Sequence, residues 1–304
     1  MKNEELKVIL FYKFANIPDP EKFVREHLRH CKKLGIMGRV LVSNEGINGS
    51  VSGTVGQIEN YKKNLRNDSR FSGIVFKEDP VIEHPFTKMK VKVRNEIVTF
   101  GEKVDISKTG KHIQPEDLKK MYDSGEEFIV LDARNDYEYK VGKFKNAIHL
   151  DIKNFRDFPK ELEKLENYKD KKIVAYCTGG IRCEKATAYM KEKGFENVMQ
   201  LNDGILNFGK QFPDTYWEGK CFVFDKRLVA PINSKEDTIA SCEVCSKPSD
   251  LCRNCRNLSC DKLIVECLDC QKKLNGCCSE KCLVEFRAQC MEKAIRKQGR
   301  RVEL

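Results

Sequence analysis

Six consecutive residues, Cys177, Thr178, Gly179, Gly180, Ile181 and Arg182, combine a nucleophile, a glycine pair and a fixed positive charge. They follow the apolar run KKIVAY and precede EKATAYMKEKGF, whose spacing predicts a helix beginning near Cys183 and Glu184, with Gly194 near its end. Cys177 is therefore expected at the carboxyl end of a strand and at a helix N-terminus. Unpaired backbone N–H groups and the positive end of the helix dipole stabilise a thiolate there, which lowers the thiol pKa and enlarges the nucleophilic fraction. Gly179 and Gly180 let those amides turn inward around an anion on sulfur, and Arg182 adds a charge-assisted donor. An isolated cysteine at such a turn reads as a buried core residue. Here strand, glycine pair, arginine and helix agree on a reactive thiol.

A second chemistry is concentrated near the C-terminus. Of fifteen cysteines, eleven lie between Cys242 and Cys290, while the first 170 residues contain only Cys31. Cys242 and Cys245, Cys252 and Cys255, and Cys267 and Cys270 are pairs with two residues between them; Cys278 and Cys282 have three between them; Cys260, Cys277 and Cys290 stand besides. Two thiolates at that spacing converge on one ion from a tight knuckle, and four make a closed tetrahedral zinc site. Eight ligands would make two sites, structural or RNA-facing, because a closed thiolate site leaves no open coordination position. The segment is too short for much core, so zinc would supply much of its folding energy.

These groups need a scaffold, and 304 residues suggest two or three domains. A composition of 40% apolar and 34% charged residues is that of a soluble globular chain, and no apolar run reaches bilayer length. The N-terminal stretch MKNEELKVILFYKFANIPDP lacks a small-residue cleavage site, so it reads as a first strand in a protein expected in the cytoplasm, where thiols stay reduced. LKVILFYKF, DPEKFVREHLRHCKKLG, GRVLVSNEGINGSVSG, TVGQIENYKKNLRND and IVFKEDPV give the order βαββαβ, the ferredoxin-like split motif, over residues 1–105. Its last part, MKVKVRNEIVTFG, sets Met89, Val91 and Val93 against Lys90, Lys92 and Arg94, a half-exposed strand with one basic face: the wet side of a sheet, or a binding face for RNA phosphates. The net charge of +10 permits a polyanionic partner without demanding one. Over residues 115–220, a helix starting at Pro115, the strands FIVLDAR, KKIVAYC and NVMQLNDGI, and the helix after Cys177 predict a doubly wound parallel α/β domain with its site at the strand carboxyl ends. The linker DKRLVAPINSKEDT leads to the cysteine-rich module, residues 238–292. The final AIRKQGRRVEL adds Arg296, Lys297, Arg300 and Arg301 as a solvated basic end or a phosphate-contacting tail.

LDARNDYEYKVGKFKNAIHL followed by IVAYCTGGIRCEKATAYMKEKGFENVMQLNDGI resembles a rhodanese domain. The resemblance implies that Cys177 begins a six-residue active-site loop through Arg182 and carries the persulfide. It also implies that Asp132 and Arg134 brace the site, with Glu138 and His149 fitting the same pattern, while Lys143 departs from the usual histidine and receives no role. Cys183 either resolves an oxidised or persulfidated Cys177 or only starts the helix. Cysteine phosphatases hold five residues between nucleophile and arginine; four lie between Cys177 and Arg182, a smaller cradle that suits a sulfur species.

EGINGSVSG, HPFTKMKVKVRNEIVTFG and WEGKCFVFDKR extend the likeness, so that the span from about Val8 to Arg227 resembles the tRNA uridine hydroxylase family, the TrhO proteins. That resemblance implies a tRNA partner and conversion of the wobble uridine to 5-hydroxyuridine with molecular oxygen as co-substrate. It favours Cys242, Cys245, Cys255, Cys260, Cys267, Cys270, Cys278 and Cys282 as the ligands of two structural zinc ions and leaves Cys252 and Cys277 over. Which four share an ion is open, as are the reductant and the oligomeric state. No flavin, haem or iron-binding motif is visible. The alternatives are a sulfurtransferase passing persulfide sulfur to an acceptor, and a binding module without activity.

Overall fold

The computed structural model describes residues 5–234 and 237–302, the side chains of 294 and 296–302 excepted. The four basic tail residues, Arg296 to Arg301, thus lie outside the described side chains. The chain divides into two compact units. One takes in the chain up to Asn135, Asn146–Pro213 and Phe224–Arg227; the other takes in Asp136–Lys145, Asp214–Val223 and the chain from Leu228 onward.

The first unit begins with β1 (Leu6–Phe14), α1 (Pro20–Leu34), β2 (Met37–Ser43), β3 (Gly46–Thr54), α2 (Val55–Arg66), β4 (Phe76–Val81) and β5 (Met89–Val93). Local signals set these bounds. Asp19 caps α1 by accepting from the Lys22 N–H at 2.8 Å, Pro20 opens it, and Gly35 closes it in the left-handed region at φ 74°. Thr54 and Gln57 form a reciprocal capping box on α2. The sheet order is β4-β1-β3-β2-β5, with β5 parallel to β2 and the other pairs antiparallel. This is the expected ferredoxin-like sheet with one added edge strand. Gly46 shows why the EGING turn needs glycine: its φ is 147°, and a Cβ there would sit 2.1 Å from the Lys13 carbonyl oxygen.

Strand alternation then divides the sheet's faces. Ile9, Phe11, Val40, Val42, Ile47, Val51 and Val91 pack a core with Ile58, Tyr61 and Leu65 of α2. Leu10, Tyr12, Asn48, Arg39 and Leu41 point the other way. Val93, expected with the buried set, is 37% exposed, because β5 ends there at the sheet edge.

The chain continues through β6 (Lys111–Ile113), α3 (Pro115–Asp123), β7 (Ile129–Asp132), α4 (Asp136–Val141), β8 (Gly142–Phe144), β9 (Ile148–His149), α5 (Phe158–Glu161), β10 (Ile173–Tyr176), α6 (Ile181–Glu192), β11 (Val198–Leu201) and α7 (Gly204–Gln211). A second five-stranded sheet has the order β6-β11-β10-β7-β9, every pair parallel, so β10 is its central strand. Its core joins Leu131, Ile173 and Ala175 to Ala186, Met190 and Phe195. This is the doubly wound parallel α/β architecture that the sequence predicts.

The second unit holds α4 and β8 with β12 (Trp217–Gly219), β13 (Cys221–Phe222), β14 (Val229–Ala230), β15 (Cys252–Asn254), β16 (Leu263–Val265), α8 (Leu268–Lys273) and α9 (Glu280–Val302). Its strands form two-stranded antiparallel pairs, and its apolar clusters are small: Val141, Phe222, Ala240, Cys252 and Val265 in one, Cys255, Cys277 and Cys282 in another. Among the described residues no helix is long and apolar enough to cross a membrane.

Candidate active site

Cys177 is fully buried at the carboxyl end of β10. The helix begins earlier than its composition suggests: α6 starts at Ile181, so Thr178, Gly179 and Gly180 form the turn, and Ile181, Arg182 and Cys183 its first residues. Two further helix amides hold the turn from outside, Ile205 N donating to the Cys177 carbonyl at 3.0 Å and Leu206 N to the Thr178 carbonyl at 3.2 Å. With its carbonyls engaged outward, the turn aims its N–H groups at sulfur, and Gly180 N donates to Cys177 Sγ at 3.1 Å.

Burial pushes the Cys177 thiol up, but a hydrogen bond from the Cys183 thiol, the Arg182 charge and the amides of Arg182 and Cys183 together outweigh it and bring the pKa down to about 5. Cys183 moves the opposite way: burial and the adjoining Cys177 thiolate raise it well above the ordinary range, so it remains a protonated donor. Arg182 Nη2 donates to Thr178 Oγ1 at 3.3 Å, and its guanidinium lies 5.7 Å from the centre of the Phe224 ring.

Asp132 and Arg134, at the end of β7, form a fully buried bidentate pair with bonds of 2.9 and 2.6 Å. Tyr176 donates its hydroxyl to Asp132 Oδ2 and lies under the Arg134 guanidinium, 5.5 Å away. The pair thus grips the residue immediately before Cys177, and the surface ion pair that such a strand end could form is not what is seen. His149 adds to this knot: Asp151 N donates to its Nδ1 at 2.8 Å, which leaves Nε2 to donate to the Arg134 carbonyl at 2.7 Å. Glu138 and Lys143 belong to the second unit, where Glu138 is fully buried and Lys143 lies over the Tyr139 ring.

The outward face of the N-terminal sheet covers this turn. A cavity of about 410 Å³ opens between them, with Cys177 to Gly179, Ile181 and Arg182 on one side and Leu10, Tyr12, Arg39, Leu41 and Asn48 on the other. Phe86, Phe224, Arg94 and Arg156 also line it, together with the carboxylate-bearing Glu96. Of these N-terminal wall residues the sequence singled out Arg94, as part of a basic strand face; Leu10, Tyr12, Arg39 and Leu41 received no role. Tyr12 is the most telling: its hydroxyl donates to Glu184 Oε1 at 3.0 Å, and burial, the Glu184 carboxylate and the Cys177 thiolate push its own pKa up, keeping it protonated. Glu184 is pushed up by burial and drawn down further by His112, 3.5 Å away, and by Tyr12. Lys77 of β4 pairs with Asp203 at 2.6 Å, and Lys185 of α6 with Glu45 at 3.0 Å and Glu96 at 2.7 Å. No local spacing announces contacts between residues so far apart in the chain; the alternation of β1, which puts Tyr12 on the face away from the core, was the one available signal.

In the second unit the structure brings the eight expected cysteines together as two sets, Cys242, Cys245, Cys267 and Cys270, and Cys255, Cys260, Cys278 and Cys282. Within each set all sulfur atoms lie within 4.8 Å of one another. Sulfur separations of 3.6 Å (Cys245 to Cys267), 3.8 Å (Cys260 to Cys278) and 3.5 Å (Cys278 to Cys282) are close to the tetrahedron edge of about 3.8 Å that Zn–S bonds of about 2.3 Å dictate. Backbone amides of Cys267, Val244 and Cys245 outweigh burial at Cys242 and lower its pKa to about 6, whereas Cys245, burial and Cys267 raise Cys270 of the same set. Cys252 and Cys277 stand outside both sets, buried, and burial raises both thiols, Cys252 to about 12.

Three family models match the chain: a UPF0176 acylphosphatase like domain over residues 6–97, a rhodanese-like domain over 114–211 and a rhodanase C-terminal region over 218–283. Among curated relatives, a tRNA uridine(34) hydroxylase of Cytophaga hutchinsonii is 42% identical over 282 residues, covering 92% of this chain and 90% of its own length. Those of Bacillus licheniformis, at 42% identity over 94% and 91% of the two chains, and Staphylococcus saprophyticus, at 43% over 91% and 90%, are similar over the same extent.

Proposed function

The chain belongs to the tRNA uridine(34) hydroxylase family, and on that premise we propose that it hydroxylates uridine 34 of tRNA at C5, with Cys177 as the working thiol. One observation carries the residue assignment: the most acidified thiol of the first unit lies in a cavity rimmed by Arg39, Arg94, Arg156 and Arg182 and flanked by Phe86 and Phe224. The cavity volume falls in the range of small-molecule sites. Arginines there suit the phosphates on either side of a nucleotide, and aromatic rings suit stacking of a base turned out of a loop, which an anticodon permits.

Replacing C5–H by C5–OH is a two-electron oxidation. With molecular oxygen as the co-substrate, one atom enters the base and the other leaves as water, taking two electrons and two protons from an external reductant. In this reading Cys177 Sγ adds to C6 of the base, and the electron pair this moves onto C5 forms the C5–O bond. The reductant's two electrons and two protons release the second oxygen atom as water, and loss of the C5 proton then restores the C5–C6 double bond and expels the sulfur anion. The amides of Gly180, Arg182 and Cys183 hold the sulfur anion before and after that step. Asp132 and Arg134 position the strand end without touching the base.

Zinc fits both cysteine sets on their sulfur separations, with Cys242, Cys245, Cys267 and Cys270 holding one ion and Cys255, Cys260, Cys278 and Cys282 the other. Each ion would supply folding stability. A tRNA substrate and reduced thiols agree with a cytoplasmic protein.

Nucleoside mass spectrometry of tRNA from cells lacking the protein, rescued with wild type or Cys177→Ser, tests the assignment. Hydroxylated uridine should vanish in the deletion, return with wild type and stay absent with the variant. Loss of a thiolated nucleoside instead would establish sulfur transfer, and an active Cys177→Ser variant would remove the thiol from the reaction.

A further inference from the structure

One face of the N-terminal sheet carries cations in a row without counter-ions. Because β2 and β5 run parallel, Arg39 lies beside Lys90 and Leu41 beside Lys92, and Arg94 extends the ladder by donating its N–H to the Val42 carbonyl at 2.8 Å. Alternation along β5 turns Val91 into the helix-side core, which puts Lys90, Lys92 and Arg94 on the opposite face with Arg39 and Leu41. Arg39, Leu41 and Arg94 are also walls of the Cys177 cavity. The row therefore leads from Lys88, at the edge of the sheet, to the mouth of the cavity.

Several other cations of this unit are matched, while scattered surface ones such as Lys13, Arg25 and Lys32 form no ion pair among the described residues; what sets the row apart is its alignment on one strand face. Lys7, Lys62, Lys77, Lys119, Lys185 and Lys210 each hold a carboxylate partner. Among the described residues no ion pair forms at Arg39, Lys88, Lys90, Lys92 or Arg94. The acids of the neighbouring turn and strand end are engaged otherwise: Glu45 by Lys185 and the Ile97 N–H, Glu96 by Lys185 and the amides of Phe100 and Gly101. The like charges act on one another, since Lys88 first, then slight desolvation, Arg39 and Lys92 lower the Lys90 pKa. Like charges facing each other across a strand pair destabilise a sheet. A polyanion lying over them removes that cost.

We propose that Lys88, Lys90 and Lys92, continued by Arg39 and Arg94, form a track for the RNA backbone phosphates next to the nucleotide held over Cys177. The identity of the polyanion rests on the hydroxylase reading above. Alternate residues of a strand stand about 6.6 Å apart, so consecutive cations of this row can each serve a different phosphate of an extended single strand. Contacts of this kind fix register and orientation and carry no base preference. They let the cavity receive uridine 34 while the flanking loop is held by charge alone.

Full-length wild type, Lys90→Gln/Lys92→Gln and Lys90→Arg/Lys92→Arg are titrated with unmodified tRNA over a series of salt concentrations and assayed for hydroxylation. With two phosphates no longer neutralised, the slope of log affinity against log salt should become shallower by about 1.4 in the glutamine variant, about 0.7 for each phosphate of a single strand. KM should rise several-fold, with the loss falling on KM far more than on kcat, and the arginine variant should keep the wild-type slope. A folded glutamine variant with unchanged slope and KM would overturn the track. The binding measurement needs no turnover, so a wild type that shows the slope difference yet leaves uridine 34 unmodified supports the track and counts against the hydroxylase reading alone.

Discussion

Cys177 and Cys31 have the same burial and opposite chemistry. Both are fully buried, yet burial drives Cys31 up to about 12 while Cys177 comes down to about 5. The difference is the ring of donors, of which the Cys183 thiol is the largest contributor. Cys183→Ala should therefore raise the Cys177 pKa, and the pH midpoint of its alkylation rate should move up from about 5 towards neutrality. A midpoint that stays put would show that the amides and Arg182 suffice. The sign extends to stability. The folded value lies below the ordinary thiol value of about 8.5, so the thiolate's contribution is fully present above that value and is lost as pH falls through about 5. Cys177→Ser should flatten this part of the profile of Tm against pH. Local chemistry made Cys177 legible in the sequence, since the strand, glycines, arginine and helix lie within a dozen residues. Tyr12 was not legible, because its role depends on Glu184, 172 residues further on.

The site is an arrangement of two helix N-termini around the end of one strand. α6 was readable from its apolar spacing and from Gly194, which takes the left-handed conformation at φ 87° beyond its last turn. α7 was not, since Asp203 stands before it at φ 59° without a side-chain cap, and its first amides are occupied by the Cys177 and Thr178 carbonyls, which no helix signal encodes. Gly180 joins the two requirements. Its φ is 98°, and a Cβ there would lie 2.9 Å from the Tyr12 hydroxyl. Gly180→Ala should cost about 1–3 kcal/mol in stability and should shift the N–H that points at Cys177 Sγ. Denaturant unfolding and the same alkylation profile measure the two effects, and a variant with wild-type stability and midpoint would show that the turn relaxes without loss. Tyr12→Phe/Gly180→Ala separates strain from crowding: if the hydroxyl contact is the main cost, the double variant recovers part of the stability.

At the scale of the whole chain, the two units are held by different means. The first has large apolar cores on both of its sheets, legible as strand alternation and helix spacing. The second has two-stranded pairs and apolar clusters of a few residues, a size at which a core alone rarely holds a fold. The spacing of the cysteines pointed to groups able to hold metal; their division into two sets, which interleaves sequence-distant pairs, required the fold, since Cys242 and Cys245 meet Cys267 and Cys270 only when the β15–β16 hairpin turns back between them. Metal should therefore be part of the folding free energy of this unit. Elemental analysis should find two zinc ions per chain, one for each set. Cys267→Ser should reduce that to one, while Cys252→Ser and Cys277→Ser, whose thiols stand outside the sets, should leave it at two. A strong chelator should abolish the calorimetric transition of the second unit and leave that of the first, because Cys177 and the cores around it contain no ligand. Chain that binds no zinc and yet shows both transitions would mean that the second unit folds on its small apolar clusters and that the converging thiols serve some other purpose.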